Sequence, residues 1–262
     1  MTALARGLFG NWRGIALIAL TVLFAVIPLL VPAFPQPLSY HAFADERSLW
    51  GVSNFFNVQS NLPFLVGGVA GLALILRGGG QFIDPRERIP YLVFFAGAAL
   101  TCLGSSYYHL SPDNPRLVWD RLPMTLGFSG LVAAAVVERI DLGLGLRSLW
   151  FLLLTGVATV VYWAATEQAG AGNVVPYAAF QFWSIAVIVL LMLAYPAKRY
   201  THGRLLAWAA LWYGLAKVFE TFDPQVYGLL GGTLSGHSIK HVLASFAVFA
   251  IVWQLHRRCP LP

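Results

Sequence analysis

Three of the six histidines in this 262-residue chain stand where apolar sequence should run on. His109 closes one apolar run, four residues after Ser105, and His237 and His241, also four apart, open the last one. At about 100° of rotation per residue in an α-helix, the members of each pair lie one turn apart on a single face. Three neutral imidazoles from two helices leave a fourth position open, the arrangement in which Zn²⁺ binds and lowers the pKa of its water from about 15.7 to about 7. Asp120 follows after the turn Ser111-Pro112-Asp113-Asn114-Pro115, which is expected to fold it back over the site as a proton acceptor. A single histidine near a helix end is ordinarily an interfacial or hydrogen-bonded residue, and a serine such as Ser105 ordinarily bonds a carbonyl one turn back. The set weighs more than its members, because a charged group inside a spanning segment costs about 2.5–3.5 kcal/mol. The other three histidines, His41, His202 and His256, fall in loops or the tail and read as solvated.

The elements that must position these groups are membrane spans. At 58% hydrophobic and 11% charged residues, the composition is outside the soluble globular range. About 20 apolar residues cross a bilayer, and by that measure eight segments qualify: 14–34, 57–77, 90–110, 122–138, 148–166, 177–196, 204–220 and 236–255. The net charge of +6 comes in twos and threes between apolar runs, with no basic patch interleaved with aromatics, which excludes a nucleic-acid partner. The two cysteines, Cys102 and Cys259, are too few for a disulfide framework and form no C-x-x-C metal pair. The first apolar run follows Arg6 and Arg13 and could be a secretory signal with Ala42-Phe-Ala44 as its cleavage pattern. It is too long for a signal core and ends too far from that pattern, so an uncleaved helix is expected.

Positive charge orients the bundle. Arg6, Arg13, Arg77, Arg86, Arg88, Arg139, Arg147, Lys198, Arg199, Arg204, Arg257 and Arg258 lie at the termini and even-numbered connections, against Arg47, Arg116 and Arg121 at the odd ones. Both termini are therefore expected on the cytoplasmic side. His109, Asp120, His237 and His241 all reach the other face, whatever their role.

Ser105-x3-His109, Asp120 in WDRLPM and His237-x3-His241 in the last helix resemble the alkaline ceramidase family and the wider CREST superfamily of seven-helix membrane hydrolases and receptors. Asn54 to Phe64, NFFNVQSNLPF, is similar to that family's entry to its first core helix. The resemblance covers residues from about 57 to 255. It implies an all-α polytopic fold in two parts, an N-terminal helix and extracytoplasmic loop over 1–56 and a seven-helix domain over 57–262. It implies a zinc amidohydrolase that cleaves ceramide, or a related lipid carrying an N-acyl chain, into an amine and a fatty acid. Carried over, His109, His237 and His241 become zinc ligands, Asp120 the base and Ser105 a residue that orients water or steadies the oxyanion. Eukaryotic members also hold calcium on an acidic cluster, for which Asp45, Glu46, Asn54 and Asn57 stand here at shorter spacing; solvated loop and helix-cap roles are the alternative for these four.

Lys240, between the last two histidines, is expected to pair with Glu220 or Asp223 or to meet an acidic lipid group. Tyr107 and Tyr108 read as belt aromatics, Trp119, Arg121 and Pro123 as shapers of a helix start, and Glu167 as a residue of the outer loop. Tyr213, Lys217 and Glu220 share a helical spacing that suits an intramembrane polar contact, and Trp163, Trp183, Trp208 and Trp212 suit packing. The short loops suit a bacterial inner membrane and no obligate protein partner. Two other functions stay open, a heptahelical lipid receptor of the same superfamily and a transporter that relays protons through the histidines and Asp120.

Overall fold

A computed structural model describes residues 11–262, so Arg6 of the orienting charges lies outside it. The described residues form ten α-helices: α1 Trp12–Leu30, α2 Phe55–Gln59, α3 Leu62–Leu76, α4 Arg88–Leu110, α5 Asn114–Arg139, α6 Leu142–Gln168, α7 Val175–Ala194, α8 Leu205–Thr221, α9 Asp223–Leu229 and α10 Gly236–Arg257. No β-strand occurs among them. Seven spans, with α2 and α3 counted as one, are long and apolar enough to cross a membrane. The chain is thus an all-α polytopic membrane protein. The expected span at 204–220 is the helix α8, but its 17 residues extend only about 25 Å, short of a hydrocarbon core of about 30 Å.

The helix starts follow local chemistry. Asn11, Asp113, Asp141 and Ser235 each accept a hydrogen bond from a backbone N–H of the first turn they cap. The largest departure from expectation is α5, which begins at Asn114 rather than 122. Asp113 is its N-cap and Pro115 sits in its first turn, where a missing N–H costs nothing. What reads as a Pro-rich turn is therefore a helix start. Asp120 and Pro123 lie inside the helix, and Pro123 does not mark its first turn.

That interior proline has a packing consequence. Without an N–H at position 123, the Trp119 carbonyl has no donor one turn on. Gly104 of α4 packs against that carbonyl so closely that a Cβ there would stand 1.9 Å from the oxygen. Gly97 and Gly130 continue the seam, each too close to the opposing backbone for a Cβ, so α4 and α5 run in close contact along their length. The core continues through α3, α6, α7, α8 and α10, with Phe95, Leu191, Ile251 and Leu255 fully buried. A smaller cluster, including Tyr108, Leu117 and Trp163, lies under the histidine end.

The helix α1 stands at the rim against α7, with Trp183 Nε1 donating to Thr21 Oγ1 at 3.2 Å. The opposite end of the bundle is closed by ion pairs. Arg258, counted from the sequence as an orienting tail charge, is buried against Glu138 and donates from Nε to the Gly80 carbonyl at 2.6 Å. Tyr91 donates to the same Glu138 at 2.5 Å, and Glu87 binds Arg199 and Tyr200. Burial raises the Tyr200 phenol to about 12, with the bond to Glu87 adding to the effect.

Candidate metal centre

Helices α4 and α10 bring the three expected histidines together. His109 Nε2 lies 3.3 Å from Nε2 of His237 and 3.3 Å from Nε2 of His241, and the ligand atoms of all three lie within 4.8 Å of one another. All three side chains are buried. Metal–nitrogen bonds of about 2.0–2.1 Å in a tetrahedral shell put neighbouring nitrogens about 3.3 Å apart, so the spacing and donor chemistry fit Zn²⁺ with one position left open.

The surroundings fix how the rings present themselves. Ser60 donates its hydroxyl proton to the Asn57 carbonyl at 3.1 Å, which leaves its lone pairs for Nδ1–H of His241 at 2.8 Å. That tautomer frees the His241 Nε2 lone pair for a cation. Phe43 covers the cluster, its ring 4.8 Å from that of His109 and 4.4 Å from that of His237. Asp223 holds the start of α10 by accepting from the His237 N–H at 2.8 Å and ties in the connection between α1 and α2 through the Ala44 N–H at 2.9 Å. Asn54, at a left-handed φ of 47°, donates to the His109 carbonyl at 2.9 Å.

Beside the histidines opens a cavity of about 390 Å³ lined by His241, Ser105, Asp120, Arg121 and mostly apolar side chains of α5, α7 and α8. Ser105 of α4 stands beside Asp120 across the glycine seam, and both line the cavity. Lys240 pairs with Glu220 at 2.6 Å, Lys217 pairs with the same carboxylate, and Tyr40 donates to it at 3.2 Å. Burial first, and Glu220 next, hold the Tyr40 phenol well above its ordinary range, so it remains a donor. Lys240 pairs with Glu220 and not with Asp223, the other acid at that end.

Several residues take other places than their sequence positions suggested. His41 is not solvated: it bonds Tyr108 Oη at 2.9 Å and Asn114 Oδ1 at 3.0 Å, and Tyr108 is buried instead of sitting in an aromatic belt. His202 and His256 are exposed. Glu167 belongs to the last turn of α6, where it accepts from the Gln36 N–H at 2.6 Å and Trp163 Nε1 at 3.0 Å. Arg121 does not shape a helix start; it is buried in mid-helix, donating to Gln36 Oε1 at 2.6 Å between the rings of Trp163 and Tyr177. A basic residue next to the expected base was the available signal, masked by the misplaced helix start.

The four residues considered for calcium make separate contacts. Asp45 is paired with Arg47 at 2.6 Å, Asn57 Oδ1 accepts from Ser238 at 2.8 Å and Ser235 at 3.3 Å, Asn54 turns to His109, and Glu46 is exposed. No protein-family model matches the chain, and no curated protein matches it either.

Proposed function

We propose that the protein is a zinc-dependent intramembrane amidohydrolase that cleaves the amide of ceramide or a related N-acyl lipid into an amine and a fatty acid. The observation that carries this reading is the convergence of three buried imidazole Nε2 atoms beside an apolar cavity that also holds a carboxylate. Zinc bound there would supply Lewis acidity to a water and to the amide carbonyl. Asp120 is the base that takes the water's proton and returns it to the leaving amine. Ser105, beside Asp120 in the cavity wall, orients that carboxylate and offers its hydroxyl to the reacting oxygen. The apolar lining from α5, α7 and α8 takes the acyl chain, and a volume of about 390 Å³ falls within the usual range for small-ligand pockets of about 300–1,000 Å³. By the charge distribution of the loops, this end faces away from the cytoplasm, in a bacterial inner membrane.

The test pairs elemental analysis with lipid hydrolysis on detergent-purified protein. About one zinc per chain is expected, lost in the His237→Ala/His241→Ala variant together with release of fatty acid from N-acyl lipids. Asp120→Asn should keep the zinc and lose turnover by about 10²-fold or more. A wild-type protein without zinc after chelator-free handling, or full turnover in Asp120→Asn, would overturn the mechanism.

A further inference from the structure

Arg121 is a buried cation in the cavity wall that forms no ion pair, the adjacent Asp120 acting on it only through space. It is 6% exposed, and among the described residues no carboxylate pairs with it. Its Nη2 donates to a neutral acceptor, Gln36 Oε1, at 2.6 Å, and its Nη1 is buried with no hydrogen-bond partner. Trp163 at 4.1 Å and Tyr177 at 4.7 Å grip the guanidinium from the sides, which fixes its plane without neutralising it. It lies seven residues into α5, about 10 Å from the helix start, a depth at which an unpaired charge is costly. The rest of the polar lining does not compensate: Lys217 and Lys240 share the one carboxylate of Glu220, so three cations face only Asp120 and Glu220.

We infer that Arg121 is the receptor for a carboxylate on the polar part of the ligand, so that the preferred substrate is an N-acyl amino acid, whose amine half carries that group, in preference to a neutral ceramide-like amide. This rests on the hydrolase reading for the word substrate, while the carboxylate site itself rests on the unpaired guanidinium alone. In such a substrate the carboxylate lies two bonds from the amide nitrogen. A residue adjacent to Asp120 can bind it while Asp120 and His241 face the scissile bond. A planar guanidinium fixed by two rings presents paired donors to both carboxylate oxygens, which a lysine at the same position would not.

The experiment compares N-palmitoylglycine with N-palmitoylethanolamine, which share the chain and amide and differ in the carboxylate, using wild type, Arg121→Gln and Arg121→Lys, with zinc content measured on each. Wild type should favour the glycine amide in kcat/KM by about tenfold or more. The ratio should fall toward one in Arg121→Gln and stand between in Arg121→Lys, whose retained charge also serves if the glutamine variant does not fold. Equal rates in wild type, or an unchanged ratio in both variants, would overturn the inference and leave the hydrolase reading standing. The acid product also carries a carboxylate; if the variants weaken inhibition by palmitate and leave the substrate ratio unchanged, the site serves the product and the substrate class proposed here is wrong. If neither amide is cleaved, the hydrolase reading has failed, and the uncleaved amides become binding probes: tighter binding of N-palmitoylglycine that is lost in Arg121→Gln upholds the carboxylate site, and equal affinities overturn it.

Discussion

At the scale of single residues, the candidate metal centre leans on a hydroxyl that sequence alone gave no reason to choose. Ser60 sits between the Asn57 carbonyl and His241 Nδ1 and so decides which ring nitrogen of His241 is free. Outer partners of this kind typically change metal affinity by about 10–100-fold. Ser60→Ala should therefore weaken zinc binding by about that factor in a competition titration with a chromophoric chelator, without emptying the site as the histidine double variant does. Unchanged affinity would show that the His241 tautomer is set by something else. The three clustered histidines were legible in the sequence, because ionisable side chains at helical spacing inside apolar runs are conspicuous. The partners were not. Serines, asparagines and an arginine in polar connections look alike until tertiary contacts sort Ser60 and Arg121 from their neighbours.

At the scale of helices, the spans at α7 and α10 were legible to within about two residues, because their apolar runs have sharp ends. Expectation failed at α5, where Asp113 and Pro115 look like a turn yet are the N-cap and first turn of a helix. The error mattered because it placed Asp120 in a loop that folds back, whereas it is held in mid-helix by the close seam with α4. Gly104 is the tightest point of that seam. Gly104→Ala should cost about 1–3 kcal/mol of stability by forcing the helices apart, and should lower turnover further by shifting Asp120 away from Ser105 and His109. The comparison is Gly214→Ala in α8, where a Cβ meets nothing within 4 Å and a gain of about 0.5–1 kcal/mol is expected from helix propensity. Equal melting temperatures for the two variants in thermal unfolding would refute this account of the seam.

At the scale of the molecule, the bundle has two polar ends with different work. The end built on Glu138 and Arg258 ties the tail to α5 and to Gly80 in the connection after α3, and nothing there touches the cavity. Removing one partner of a buried pair leaves the other charge unanswered, at about 3–5 kcal/mol. Glu138→Ala should accordingly lower the melting temperature while zinc per chain stays at the wild-type value; loss of zinc along with stability would mean that the two ends are coupled. Zinc removal by a chelator should lower the melting temperature of wild type and leave that of the His237→Ala/His241→Ala variant unmoved, since an ion that binds only the folded state stabilises it in proportion to RT ln(1 + [L]/Kd).

The cavity wall also reaches back to Phe34, Gln36, Pro37 and Tyr40, just after α1, while His237 and His241 come from the last helix. Residues from both extremes of the described chain thus meet in one place. A ribosome that stalls before codon 237 leaves a chain with the covering Phe43 and one of the three imidazoles, His109. Metal bound at this cluster would therefore report that the last helix has docked, and an unfinished chain would be told from a finished one by its failure to take up the ion.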